Sequence, residues 1–256
     1  MANHIIKFEH VSKSYQNKTV VDDISLTIDQ GEFITILGTS GSGKTTTLKM
    51  LNRLIEPTKG SILFDGKDIA KLDAVALRRQ IGYVVQQIGL FPHLTVADNI
   101  ATVPKLLGWD KERIRQRTSE LLSLVKLPEE TYAKRYPSKL SGGQQQRIGV
   151  ARALAADPNV MLFDEPFGAI DAITRADLQE ELLTIHHRLN DKTFIFITHD
   201  FYEAFRLGTR VLIMDEGKIV QFAKPKEIIQ NPASPFVNKL IETAKNQEDI
   251  WRFVHD

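Results

Sequence analysis

Apolar and polar positions alternate in two distinct rhythms along the chain, and the change from one to the other marks its elements. Residues 5–36 alternate around turn signals at Gln16-Asn17-Lys18 and Asp29-Gln30-Gly31, which predicts a short antiparallel meander before the strand at 33–37. Phe33-Ile34-Thr35-Ile36-Leu37 has the unbroken apolar and β-branched character of a buried parallel strand, and residues 46–51 favour helix. Ser61-Ile62-Leu63-Phe64 followed by Asp65-Gly66 predicts a strand ending in a tight hairpin, and residues 81–85 predict another strand. From Leu94 to Leu154 helical spacing takes over: Ile114, Leu121, Leu122 and Val125 fall on one helical face.

The strand rhythm returns at Val160-Met161-Leu162-Phe163. Leu178, Leu182, Ile185 and Leu189 then form a helical stripe, and residues 193–198 predict a core strand. Residues 211–215 and 218–222, joined through Glu216-Gly217, predict a last hairpin, and residues 231–256 a terminal helix. The pattern is that of an α/β protein with an N-terminal antiparallel β subdomain and a helical subdomain inserted into the α/β core.

Composition narrows the function classes. A chain of 256 residues, 42% hydrophobic and 25% charged, buries the core of one large domain with a smaller subdomain. The formal net charge of +1 gives no general electrostatic reason to expect nucleic acid. The absence of cysteine excludes disulfides, thiolate catalysis and cysteine-ligated zinc. The N-terminus lacks the apolar core of a signal peptide, and no apolar run is long enough to span a bilayer. A cytoplasmic protein is expected, with any membrane role exercised through a partner chain.

Chemistry concentrates at Gly38-Thr39-Ser40-Gly41-Ser42-Gly43-Lys44-Thr45, between the strand at 33–37 and the helix that includes Thr46. Gly38, Gly41 and Gly43 let the backbone approach phosphate oxygens, so that N–H groups and a helix N-terminus surround an anion. Lys44 is placed to reach the β- and γ-phosphates of a nucleotide, and the Thr45 hydroxyl to ligate Mg²⁺. Tyr15, just before a turn, is by itself an ordinary strand aromatic; beside a nucleotide loop it becomes a stacking platform for adenine.

Further residues stand where open α/β sheets bind ligands, beyond the carboxyl ends of strands. Gln86 follows the strand at 81–85, where a carboxamide reaches a metal or a water. Asp164 and Glu165 end the run at 160–163. Neighbours on a strand face opposite ways, which suits Asp164 to the Mg²⁺ hydration shell and Glu165 to polarising an attacking water. His199 ends the strand at 193–198 as a γ-phosphate contact. Ser141, before Gly142, Gly143 and Gln144, caps a helix running through Arg147, Ile148 and Leu154, and the paired glycines admit an anion. Taken singly, these are also a loop glutamine, an acidic turn, a structural histidine and a plain capped helix.

Together, Gly38 to Thr45, Gln86, Leu140-Ser141-Gly142-Gly143-Gln144, Asp164-Glu165, Asp171 and His199 stand in the order and approximate spacing of the ATP-binding cassette ATPases, which the chain resembles over about residues 5–230. The resemblance implies a RecA-like phosphate-loop NTPase core at 1–87 and 156–230, a helical insert at about 88–155 and a tail at 231–256. It implies ATP and Mg²⁺ as ligands and a head-to-tail homodimer that holds each ATP between one copy's phosphate loop and the other's Ser141-Gly142-Gly143-Gln144. Tyr15 then stacks on adenine, Thr45, Gln86 and Asp164 serve Mg²⁺, Glu165 is the general base, His199 is the switch residue, and Asp171 communicates across the dimer.

A finer likeness, carried by residues 40–54, Gly89-Leu90-Phe91-Pro92-His93 and Phe167-Gly168-Ala169-Ile170-Asp171, is to bacterial importer ATPases for quaternary amines such as glycine betaine, choline and carnitine. It implies integral-membrane permease subunits seated near residues 86–106, an extracytoplasmic substrate-binding protein in the complex, and a place at the cytoplasmic face of the membrane. The alternatives are the ATPase of another importer or of an exporter, and a soluble cassette protein acting on nucleic acid.

Overall fold

The computed structural model describes residues 4–86, 89–168 and 170–255. Gln87, the expected subdomain boundary at 87/88 and Ala169 therefore lie outside the described residues. The chain forms two compact units, Met1–Leu72 with Ile195–Asp256, and Asp73–Phe194.

The first unit opens with β1 (His4–Tyr15) and β2 (Lys18–Asp29), antiparallel and closed at Tyr15↔Lys18. Ile6, Phe8 and Val11 of β1 are buried. A strict two-residue rhythm would turn Val11 outward; a register shift between Phe8 and Val11, with His10 at φ 50, restores it to the core. β3 (Phe33–Gly38), buried at all six residues, belongs to another sheet, as its unbroken apolar run predicts. It runs through a loop into α1 (Lys44–Leu51). The free edge of β1 is taken instead by β4 (Lys59–Phe64), antiparallel with Phe8↔Ile62. Asp65 and Gly66, at φ 48 and 70, then turn the chain tightly into β5 (Lys67–Asp68).

The second unit carries α2 (Ala74–Arg79) and β6 (Ile81–Val84), then five helices: α3 (Val96–Ile100), α4 (Thr102–Leu106), α5 (Lys111–Leu124), α6 (Glu129–Tyr132) and α7 (Gly142–Leu154). β7 (Val160–Asp164) follows, parallel to β6 with Ile81↔Val160 and Val84↔Phe163, and α8 (Ala172–Arg188) after it. On α5, Leu121 and Leu122 are buried with Val125 beyond its end, whereas Ile114 is only half-buried because that end of the helix faces outward. α8 buries Leu178, Leu182 and Ile185. The two helices α7 and α8 are pinned by Arg147 and Glu181 at 2.7 Å, and the Arg117 guanidinium donates to the Leu154 carbonyl at the end of α7 at 2.9 Å.

β8 (Thr193–Thr198) leads back into the first unit, where α9 (Phe201–Leu207), β9 (Arg210–Asp215), β10 (Lys218–Ala223), α10 (Pro225–Gln230) and α11 (Pro235–His255) complete it. β3 lies parallel to β9, from Ile34↔Arg210 to Gly38↔Met214, and β9 turns into β10 through Glu216 and Gly217 at φ 45 and 82. Val237 and Ile241 of α11, one helical turn apart, pack with Leu37, Ala204, Val211, Ile213 and Ile228. Each such buried side chain stabilises the docked helix by about 1.5–3 kcal/mol. The Tyr202 hydroxyl adds a hydrogen bond to the Ala244 carbonyl at 2.7 Å. Among the described residues no helix is long and apolar enough to cross a membrane.

Candidate functional site

The phosphate-binding loop is shaped by close backbone approaches. A side chain at Gly38 would stand 2.2 Å from the Met214 carbonyl oxygen, and one at Gly43 2.8 Å from that of Val20; Gly43 also sits at φ 97, which other residues rarely adopt. The Lys44 side chain is buried at 5% exposure, and its ammonium donates to the carbonyls of Gly38 (2.8 Å) and Thr39 (2.9 Å), so it closes the loop upon itself. No side chain caps α1 at Gly43. Ser42 is 2% exposed, and its Oγ has no hydrogen-bond partner among the described residues. A buried ammonium, an uncapped helix start and an orphaned hydroxyl together fit a bound polyphosphate.

Three further predicted residues lie in the same unit. Tyr15 ends β1, 45% exposed, with the Lys13 ammonium 5.0 Å from its ring centroid. Thr39, exposed, bonds Asp215 at 3.4 Å. His199 is exposed immediately beyond β8, followed by Asp200, whose carboxylate caps α9 through the Glu203 N–H at 3.0 Å.

The second unit brings together Gln86, Asp164, Glu165, Asp171 and Ser141 to Gln144. β7 ends at half-buried Asp164, and the backbone then turns sharply, with Glu165 at φ 47. Strand alternation therefore does not separate the two carboxylates as expected: Glu165 lies past the strand, and a left-handed turn, costly for a residue with a side chain, sets its direction. The exposed Gln86 amide lies against Gly168, where an added Cβ would be 3.5 Å from Nε2 and 3.6 Å from the Glu165 carbonyl oxygen.

Ser141 caps α7 as expected, and the cap is reciprocal. Its Oγ accepts from the Gln144 N–H at 3.3 Å, while the Gln144 side-chain oxygen accepts from the Ser141 N–H at 3.0 Å. Gln144 Nε2 also donates to the Tyr132 hydroxyl at 3.2 Å, so this amide builds the helix start. Gly142 faces open space, whereas Gly143 is buried. Asp171, exposed, caps α8 by accepting from the Thr174 N–H at 3.0 Å, and hydrogen bonds from Thr174 hold its carboxyl below the usual range.

Two residues that pattern reading passed over complete this unit. The Tyr83 hydroxyl, from the middle of β6, donates to Asp164 Oδ2 at 3.0 Å; burial, then the Asp164 charge, pushes the phenol pKa up. The signal was present in the sequence, since a phenol inside an apolar strand must find an acceptor. Arg152 donates to the Gly89 carbonyl at 2.7 Å and stands 5.8 Å from the centroid of the Phe91 ring, and burial lowers its pKa. These residues border a groove of about 350 Å³ lined by Arg78, Arg79, Tyr83, Phe91, Val103 and Arg152.

No group of three His, Asp or Glu side chains converges among the described residues. The Asp164 carboxylate, held by the Tyr83 hydroxyl, and the exposed Gln86 amide offer one or two oxygens, a donor set that fits Mg²⁺, which keeps several waters and takes phosphate oxygens besides.

A buried strand, a glycine loop locked by an interior lysine and a following helix define a phosphate-loop nucleotide-binding protein of α/β class. Residues 21–168 match the ABC transporter family, and the chain belongs to that family. It is 57% identical over 238 residues to the carnitine transport ATP-binding protein OpuCA of Listeria monocytogenes, covering 93% of this chain and 59% of that protein. It is 53% identical to the choline transport ATP-binding protein OpuBA of Bacillus subtilis (93% and 62% covered), and 51% identical to the glycine betaine uptake system ATP-binding protein YehX of Escherichia coli (92% and 76% covered). The chain thus spans about three fifths of the first two.

Two solved structures share the fold. One is the dimeric ATP-binding cassette MJ0796 in a post-hydrolysis state bound to ADP and Pi, with TM-score 0.74 and 34% identity over 86% of this chain and 98% of that one. The other is cbiO1 from Clostridium perfringens, part of the transporter complex cbiONQ, with TM-score 0.83 and 27% identity over 94% and 99%.

Proposed function

We propose that this chain is the ATP-hydrolysing part of an importer for quaternary-amine solutes, acting as a pair of copies on separate permease subunits. The observation that carries the reading is the interior Lys44 ammonium, buried against loop carbonyls beside an uncapped helix start. An ammonium held inside a glycine loop, beside helix N–H groups that no side chain caps, is placed to meet the phosphates of a nucleotide. The relatives named for carnitine, choline and glycine betaine transport support the solute class.

In this reading Gly38 to Thr46 surround the phosphates of ATP and Tyr15 stacks on its adenine. Ser141, Gly142 and Gly143 of the second copy meet the γ-phosphate, with Gln144 holding their helix start. Thr45, Gln86 and Asp164 hold Mg²⁺ and its waters; the ion offsets charge on the phosphate oxygens when bound. Glu165 takes a proton from a water whose oxygen attacks the γ-phosphorus as the bond to the bridging oxygen breaks, and His199 contacts the γ-phosphate. Asp171 relays the state of one copy to the other.

The groove beside Phe91 offers an exposed ring among three guanidinium groups, which suits a short permease helix with an apolar face and an acidic residue. Such an assembly sits at the cytoplasmic face of the membrane and takes its solute from an extracytoplasmic binding protein. The test is reconstitution with a quaternary-amine permease: ATP hydrolysis should rise with betaine, choline or carnitine and a binding protein for it. ATP hydrolysis that no quaternary amine stimulates would reject the solute class.

A further inference from the structure

Tyr83 stands in β6, in register with Leu162 of the parallel strand β7. Leu162 and Asp164 point to the same face of β7, so Asp164 is the diagonal neighbour of Tyr83, within reach of a long aromatic side chain. The phenol crosses that diagonal and donates to Asp164 Oδ2 at 3.0 Å, while its ring borders the groove with Arg78, Phe91 and Arg152. Packing on the strand and in the groove wall thus fixes where the donor sits, and a fixed donor selects one orientation of the carboxylate.

We propose that Tyr83 is a positioning residue for nucleotide hydrolysis, one that holds the Asp164 carboxylate in the orientation that serves Mg²⁺ on ATP. The inference rests on the reading of Asp164 as a holder of the Mg²⁺ shell. A phenol bound to one carboxylate oxygen fixes the plane of the carboxylate, and it removes side-chain rotation that would otherwise be given up on binding. Tyr83 does not touch nucleotide; it acts through Asp164.

The test is a binding titration on the full chain. ATP affinity is measured by calorimetry in EDTA and then against rising Mg²⁺ for the parent, Tyr83→Phe, Asp164→Asn and the double variant, with circular dichroism reporting folding. The expected result for Tyr83→Phe is an unchanged affinity in EDTA and a roughly tenfold rise in half-saturating Mg²⁺, the scale of one hydrogen bond to a charged group. In the Asp164→Asn background the same change should add nothing. An unchanged Mg²⁺ requirement in Tyr83→Phe, with a raised one in Asp164→Asn, overturns the inference and leaves the Asp164 reading standing. An unchanged requirement in Asp164→Asn overturns that reading itself. Should Tyr83→Phe not fold, Tyr83→Leu, which keeps apolar bulk in the strand and has no donor, is expected to show the same Mg²⁺ shift, and the absence of that shift overturns the inference.

Discussion

A side chain at Gly143 would bring its Cβ to 2.7 Å from Cγ2 of Thr174. The second glycine before Gln144 thus allows the start of α7 to rest against the start of α8, whose first turn Asp171 caps through the Thr174 N–H. Two motifs about thirty residues apart in the chain share one contact. Gly143→Ala should cost about 1–3 kcal/mol, as overpacking does, and adding Thr174→Ser, which deletes Cγ2, should recover most of it. Urea unfolding of both variants measures this; a Gly143→Ala protein as stable as the parent would refute the contact.

Gln146 points the other way. It is 1% exposed, and neither of its amide atoms has a hydrogen-bond partner among the described residues. It borders a cavity of about 20 Å³ whose other walls include Val125, Val150, Leu178 and Leu182. An apolar side chain of similar size removes the unmet polar groups, so Gln146→Met should raise stability by about 1 kcal/mol. A lower midpoint in the same denaturation experiment would mean that the amide is satisfied.

Acid sensitivity has a local source at the start of α3. The Lys105 ammonium, 2.7 Å from Asp98, with the Thr95 hydroxyl, holds the Asp98 carboxyl below its ordinary 3.8. A lowered folded-state value stabilises above the unfolded-state value, and that stabilisation is lost as pH falls through the folded-state value. Asp98→Asn should therefore cost stability at pH 7, about 0.5 kcal/mol after screening of this exposed pair, and the difference from the parent should vanish below the folded-state value. Unfolding midpoints measured from pH 7 down to strongly acid solution check the sign.

The strands and helices were largely legible because their signals are periodic and local: the Asp65-Gly66 and Glu216-Gly217 turns take the positive φ that such pairs favour. The unbroken apolar run at 33–37 marked β3 as a buried parallel strand apart from the β1–β2 pair, but nothing in residues 61–64 says that β4 takes the edge of β1, because strand pairing is decided by contacts distant in the chain. Glu165 was readable as a candidate but not its backbone, since a left-handed turn at a glutamate is imposed by its surroundings. The Ser141 cap was readable from spacing, while the second bond of Gln144, to Tyr132, needed the fold. Tyr83 was passed over because a tyrosine reads as a strand former, and only the pairing of β6 with β7 brings its hydroxyl to Asp164.

The central claim is that ATP itself joins two copies of this chain and that hydrolysis parts them. Sedimentation velocity of the Glu165→Gln variant, which binds but does not cleave ATP in this account, tests it most directly. With saturating MgATP the variant should sediment as a dimer, without nucleotide as a monomer, and Lys44→Ala should abolish the shift. A Glu165→Gln protein that binds ATP yet sediments identically with and without it would contradict the account.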